Sequence, residues 1–169
     1  MEYCELGNLY TYQFTQPEKI FKLQDALRIF VEIIKGINYI HKANVIHRDI
    51  KCENILLKKK KNQGFTCKIG DFGFSKSVEE ATKSHCGTPN FMAPEILAGK
   101  AYDKQVDIWS LGVILFYMLF ADYPFKGMNL LYDIHVRCSN KYNLAEELAT
   151  SPSVKKNKSI TKEEMSKLV

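Results

Sequence analysis

The residues with the most chemistry in this chain lie between Val45 and Leu57. The run Val45-Ile46-His47-Arg48-Asp49-Ile50-Lys51-Cys52-Glu53-Asn54-Ile55-Leu56-Leu57 sets His, Arg, Asp, Lys, Glu and Asn between two apolar stretches. Holding that much charge beside a core is costly unless the groups are paired or used. A second acid, Asp71, follows between glycines in Lys68-Ile69-Gly70-Asp71-Phe72-Gly73. A carboxylate (Asp49), an ammonium (Lys51), an amide (Asn54) and a second carboxylate (Asp71) suit phosphoryl transfer. That reaction needs a group to accept a hydroxyl proton, a cation near the migrating phosphoryl and oxygen ligands for magnesium.

Elements of ordinary kinds can position these groups. Leu9 to Phe14 reads as a short helix, broken at Thr15-Gln16-Pro17. From Leu23 to Lys42 the residues Leu27, Phe30, Val31, Ile34, Ile37, Asn38 and His41 trace one side of a long helix, with Lys35 and Glu32 off that face. Ile55 to Leu57 and Thr66 to Ile69 read as strands joined by a polar segment containing Gly64. Pairing them as a hairpin carries Asn54 and Asp71 to the same edge. The segment from Phe74 to His85 is poor in large apolar groups and reads as a mobile surface loop. Asp103 to Phe120 is apolar nearly all round, the pattern of a buried helix, with Gly112 allowing close backbone approach. A modest helix from Asn129 to Cys138, a polar linker from Ser151 to Lys158 and a capping-box start at Thr161 complete the chain.

Composition narrows the classes. The chain has 169 residues, 46% of them hydrophobic, enough for one domain core. Net charge is +5, concentrated in Lys58-Lys59-Lys60-Lys61 and around Lys155, Lys156 and Lys158. No aromatic residues interleave with the four lysines, so they read as a solvated hairpin tip and not as a nucleic-acid or membrane patch. Five cysteines without a CxxC pair fit free thiols in a reducing compartment, not a disulfide scaffold or zinc site. No basic, apolar leader is present at Met1-Glu2-Tyr3-Cys4-Glu5, and the most apolar run, Leu111 to Ala121, is too short to span a bilayer. The expectation is an intracellular, cytoplasmic protein, with the nucleus also open to it.

These motifs resemble the catalytic and magnesium loops of the eukaryotic protein kinases. Gly87-Thr88-Pro89-Asn90-Phe91-Met92-Ala93-Pro94-Glu95 is similar to the end of that family's activation segment, and Asp107-Ile108-Trp109-Ser110-Leu111-Gly112 to the start of its central buried helix. The four motifs occur in the family's order. The resemblance implies that Asp49 orients the substrate hydroxyl as base, Lys51 stabilises the moving phosphoryl, and Asn54 and Asp71 hold Mg2+. Thr88 would hydrogen-bond Asp49 and Lys51. The backbone of Glu2 and Cys4 would meet the adenine edge of ATP, with Met1 near the gating position. Glu53 and Leu56 fall with the nucleotide, Leu56 in the adenine floor. His47 would pack on Phe72, and Asp107 would accept hydrogen bonds from the catalytic-loop backbone; its bland alternative is a helix N-terminal acid. Arg48 would anchor an anion, and a phosphate on Ser84 would pair with it and order the loop.

Lys51 together with Thr88-Pro89 resembles serine/threonine kinases, nearest to the calcium/calmodulin-dependent and autophagy-initiating groups. Phe91 departs from the usual tyrosine. The resemblance implies a buried arginine partner for Glu95, and no Arg follows Arg137. The resemblance covers most of the chain but only the C-terminal lobe: mainly α with short β-hairpins, a protein-kinase-like C-lobe with the N-lobe absent. It implies a partial domain over 1–169, holding hinge, catalytic loop, activation segment and central helix, truncated at both ends. Such a chain is expected to bind ATP weakly and to associate through exposed apolar faces. Its partners would be proteins presenting Ser or Thr. The alternative is a noncatalytic module that binds kinase substrates or a full-length relative.

Overall fold

A computed structural model describes residues 2–61, 64–77, 84, 86–138, 151–152, 155, 157–161 and 164. The order is α1 (Leu9–Gln13), α2 (Leu23–Lys42), β1 (Val45–Ile46), β2 (Ile55–Lys59), β3 (Phe65–Ile69), β4 (Lys76–Ser77), α3 (Pro94–Leu97), α4 (Gln105–Phe120) and α5 (Leu130–Arg137). The expected helix-rich chain with a short hairpin is what is found, with two small antiparallel sheets. No helix among the described residues is long and apolar enough to cross a membrane.

Helix α2 carries apolar residues on two sides, and packing selects one. Leu23, Ala26, Ile29, Ile33, Ile37 and Ile40 are buried, a spacing of three and four that gives a continuous stripe. Leu27, Val31 and Ile34, expected to face the core, are instead 40%, 48% and 41% exposed. The isoleucine stripe docks against α4 and β3, in a core that also holds Leu111, Ile114 and Met118. Burying each such side chain stabilises the fold by roughly 2 kcal/mol.

Helix α4 also departs from expectation. Its interior face is buried, but Ile108 is 54% exposed and Gly112 lies at the surface. A Cβ built on Gly112 would meet nothing within 4 Å, so no described backbone approaches it. This face opens onto a groove of about 710 Å³ lined by Ile108, Trp109, Val113, Phe116 and Phe125. Glu95 sits on the rim, and no ion pair to it is found among the described residues. An apolar sequence all round therefore does not bury this helix all round.

The hairpin pairs β2 with β3, Ile55 opposite Ile69 and Lys59 opposite Phe65. Both strands run longer than expected. Lys58 and Lys59 lie within β2, and only Lys60 and Lys61 reach the turn. Lys58 engages the Glu2 carboxylate, and Lys68 lies 3.5 Å from the same carboxylate. The chain before α1 flanks the hairpin, with Leu6 N–H on the Leu57 carbonyl (3.2 Å) and Leu57 N–H on the Gly7 carbonyl (2.9 Å). Part of the expected loop after Phe74 is ordered: Lys76–Ser77 pairs with β1, Ile46 opposite Lys76. Residues 78–83 and 85 lie outside the described residues.

The segment expected to be a polar linker docks on the core at Asn157, which is 5% exposed. Its Nδ2 donates to the carbonyls of Phe21 (3.0 Å) and Leu119 (2.7 Å). Ser159 Oγ accepts the Leu23 N–H at 2.9 Å and so caps α2, whose own N-cap residue, Lys22, supplies no side-chain bond. The capping box is present: Glu164 N–H donates to Thr161 Oγ1 (3.2 Å), and Thr161 N–H donates to the Glu164 carboxylate (2.8 Å). The helix it was expected to open lies mostly outside the described residues. Asn129 caps α5, within one residue of the expected helix.

Candidate active site

The loop between β1 and β2 carries the candidate chemistry, and α4 holds its backbone. Asp107, 1% exposed, accepts the N–H of His47 (3.0 Å) on Oδ2 and that of Arg48 (2.9 Å) on Oδ1. His41 Nε2 lies 2.8 Å from Oδ2. A buried carboxylate without such partners would be strongly unfavourable. Asp107 sits in the first turn of α4, so both readings of it hold in part; its side chain faces the loop.

Arg48 adopts φ 69°, a left-handed conformation that a bulky residue keeps only where its surroundings over-determine it. Its bonded amide is one such constraint. Gly87 is another: at φ 115°, a Cβ there would lie 2.7 Å from the Arg48 carbonyl oxygen. Only glycine fits, and Thr88 is thereby set against the loop.

His47 is fully buried. Its Nε2 faces the Gly70 carbonyl at 2.9 Å, its Nδ1 faces the Asp49 N–H at 3.4 Å, and its ring lies 4.9 Å from that of Phe72. A carbonyl on one side and an amide hydrogen on the other require a neutral ring carrying its proton on Nε2. The histidine ties the Asp49 loop to the Asp71 loop.

Asp49, Lys51, Thr88 and Asn54 converge. Lys51 Nζ is 2.8 Å from Asp49 Oδ2 and donates to Thr88 Oγ1 at 3.0 Å. Thr88 Oγ1 donates to Asp49 Oδ1 at 2.9 Å. Asn54 Nδ2 donates to the Asp49 carbonyl at 2.8 Å and to Oδ2 at 3.2 Å. Burial alone would push the Asp49 carboxyl up. The Lys51 ammonium and the Thr88 hydroxyl outweigh it, with help from Asn54, and hold the group below the usual aspartate range. The arrangement keeps a charged carboxylate ready at neutral pH. Cys52, two residues from this cluster's centre, is a poor nucleophile, because burial raises its thiol far above the ordinary value.

Asp71 is exposed, at φ 56°, and its Oδ1 accepts the Gly73 N–H at 3.2 Å. The hairpin register and the Gly70 N–H on the Asn54 carbonyl (2.8 Å) bring Asp71 and Asn54 to one edge. Their side chains do not bond each other: the Asn54 amide nitrogen turns to Asp49. That leaves Asn54 Oδ1 and the second Asp71 oxygen without a hydrogen bond among the described residues. Hard oxygen donors from one buried amide and one exposed carboxylate fit Mg2+, which keeps several waters and takes few protein ligands.

The candidate nucleotide residues are less closely grouped. Leu56 is half-buried, its Cδ1 3.2 Å from where a Gly70 Cβ would stand. Glu53 is exposed on the turn Cys52–Asn54. The Glu2 carboxyl is lowered by its hydrogen bond to Lys58 and by Lys68. Cys4 uses its carbonyl in a turn to the Gly7 N–H (3.1 Å), and its thiol lies 4.0 Å from the Glu2 carbonyl. Of the hinge-like backbone groups, the Cys4 N–H is left without a partner among the described residues.

Arg48 forms a second cluster. Its Nε donates to the Phe74 carbonyl (2.5 Å), and one terminal nitrogen donates to Ser84 Oγ (2.6 Å) and to the Tyr102 hydroxyl (3.2 Å). The residue is 8% exposed, and no carboxylate pairs with its guanidinium among the described residues. Two participants were not singled out from sequence. Tyr102 belongs to no motif. His41 was read only as part of a helix face, and nothing in its spacing signals Asp107, 66 residues on.

Comparison with known proteins bears on the family. The family model described as protein kinase domain matches residues 1–169. The chain is 41% identical over 133 residues, 77% of its length, to serine/threonine protein kinase OSK3 of Oryza sativa subsp. indica, covering 25% of that protein. It is 48% identical over 130 residues, 75% of its length, to protein kinase C-like 1 of Candida albicans, covering 11% of it. It is 47% identical over 118 residues, 69% of its length, to calcium-dependent protein kinase 4 of Plasmodium berghei, covering 22% of it. The chain thus spans a quarter or less of each of these relatives. With a family model matched from end to end, the chain belongs to the protein kinase family.

Proposed function

We propose that this chain carries the catalytic lobe of a serine/threonine protein kinase, transferring the γ-phosphoryl group of ATP to protein Ser or Thr hydroxyls. One observation carries the reading: the Asp49 carboxylate is held charged by Lys51 and Thr88. In this role Asp49 orients the incoming hydroxyl and takes its proton, and Lys51 neutralises charge on the moving group. Thr88 keeps both in register. Asn54 and Asp71 would hold Mg2+, which when bound offsets the charge of the phosphates. Leu56, Glu53 and the backbone of Glu2 and Cys4 would meet the nucleotide. The free thiols of the five cysteines support an intracellular setting. The test is γ-phosphoryl transfer to a generic Ser/Thr substrate, with Asp71→Ala as control. Transfer abolished by that change supports the reading.

Ser84, already 2.6 Å from the Arg48 guanidinium, is proposed as an activating phosphosite. A buried cation with no carboxylate partner among the described residues is a ready partner for phosphate. Active protein shown by mass spectrometry to lack a phosphate at Ser84 would count against this.

The second reading, a noncatalytic interaction module, is favoured by the open groove along α4. Binding of a kinase substrate without transfer would support it.

A further inference from the structure

The hydroxyl of Tyr102 is placed to do more than fill the core. The residue is 9% exposed and packs with Ile46, Met92, Ala93, Ile96 and Val106. The hydroxyl oxygen meets Arg48 and Ser84. It accepts from the Arg48 guanidinium at 3.2 Å, lies 3.1 Å from Ser84 Oγ and donates to the Ser84 carbonyl at 3.0 Å. Arg48 to Tyr102 to Ser84 is a chain of hydrogen bonds in which the cation polarises the phenol. The one phenolic proton cannot serve both Ser84 oxygens, and it now rests on the carbonyl.

We infer that Tyr102 is the second donor of a phosphoserine pocket at Ser84, its hydroxyl turning from the Ser84 carbonyl to the phosphate while Arg48 supplies the charge. The inference rests on the reading of Ser84 as a phosphosite. Phosphorylation moves the γ-phosphoryl of ATP onto Ser84 Oγ, breaks the phosphoanhydride bond, leaves ADP and releases the hydroxyl proton. The product is a strong anionic acceptor. A donor already aligned by its own cation prefers that acceptor to a neutral carbonyl. Because the ring is fixed by its neighbours, the hydroxyl loses little freedom in doing so.

The test reads the phosphate directly. Among the described residues, the groups facing it are the Arg48 guanidinium, the Tyr102 hydroxyl and the Cys86 thiol, whose sulfur lies 4.0 Å from Ser84 Oγ. Donors favour the dianion and so lower the second ionisation of the phosphate, which is near pH 6 when free. Phosphoserine is installed at position 84, and its 31P shift is titrated in the parent, in Tyr102→Phe and in a phosphoserine peptide of the same local sequence. The parent midpoint should lie below that of the peptide, and Tyr102→Phe should raise it by about half a unit while leaving it below the peptide. A parent with 3-fluorotyrosine in place of Tyr102 keeps the shape and strengthens the donor, so its midpoint should fall further; this arm stands even if the Phe variant does not fold. Identical midpoints for the parent and the Tyr102 variants would overturn the inference and leave the Arg48–Ser84 pairing intact. A parent midpoint equal to that of the peptide would overturn both.

Discussion

The carboxylate of Asp107 spans the backbone of two successive residues, holding His47 N–H on one oxygen and Arg48 N–H on the other. A side chain of α4 thereby fixes the conformation of a loop whose own residues would not choose it. Asp107→Ala strips the acceptor from two buried amides and the partner from His41. Equilibrium urea unfolding should show a loss of about 3 kcal/mol, with phosphoryl transfer reduced further than the folded fraction explains. A loss under about 0.5 kcal/mol, the range of an ordinary surface change, would contradict the role given to this contact.

Charge at Asp49 depends on Lys51. A carboxyl held below its ordinary value stabilises the fold above the unfolded value, about pH 3.9. That contribution disappears as pH falls through the lower, folded value. Lys51→Met removes the principal favourable partner and leaves burial to dominate, which raises the folded carboxyl. The loss on acidification contributed by Asp49 should shrink or invert, with the cost of the substitution greatest near neutral pH. Urea midpoints across about pH 3 to pH 7 measure this; pH profiles of the two proteins that superimpose after scaling would contradict it.

Gly87 is required by a close approach, not by flexibility. Gly87→Ala places a methyl 2.7 Å from the Arg48 carbonyl at φ 115°, which should cost roughly 1–3 kcal/mol. The strain falls on the neighbour of Thr88, so the Thr88 to Asp49 bond should lengthen and transfer should fall with it. Unchanged thermal stability in calorimetry would show that the backbone relaxes there at no cost.

Ser159 caps a helix 136 residues before it in the chain. Ser159→Ala should lower stability by about 1 kcal/mol, whereas Ser159→Asp, which retains an acceptor at a helix N-terminus, should lower it less. Equal losses in both variants would argue that this cap contributes nothing specific.

Legibility from sequence varied with the range of the interaction. The hairpin and the 47–54 loop were readable because short apolar runs flank a polar one, and Gly64 marks the turn. Asp49, Lys51 and Asn54 lie within one stretch. Thr88, 37 residues beyond Lys51, entered only through the family resemblance. The buried side of α2 was misread because apolar residues occupy two faces of that helix, and only docking on α4 and β3 distinguishes them. The exposed strip of α4 was missed for the same reason: an all-apolar pattern says that a helix can be buried, not that every face has a neighbour. Tyr102, Asn157 and Ser159 carry no local signal, since their partners are brought close only by the fold.

The central claim is that Asp49 acts as a charged base in phosphoryl transfer, and the most direct measurement is kcat/KM for ATP in Asp49→Asn beside the parent. The near-isosteric amide keeps the shape and can still meet Lys51 or Thr88, but it cannot take a proton. Transfer should fall by a factor on the order of a hundred to ten thousand while the far-UV spectrum is unchanged. An Asp49→Asn protein that transfers phosphate at the parent rate would contradict the account.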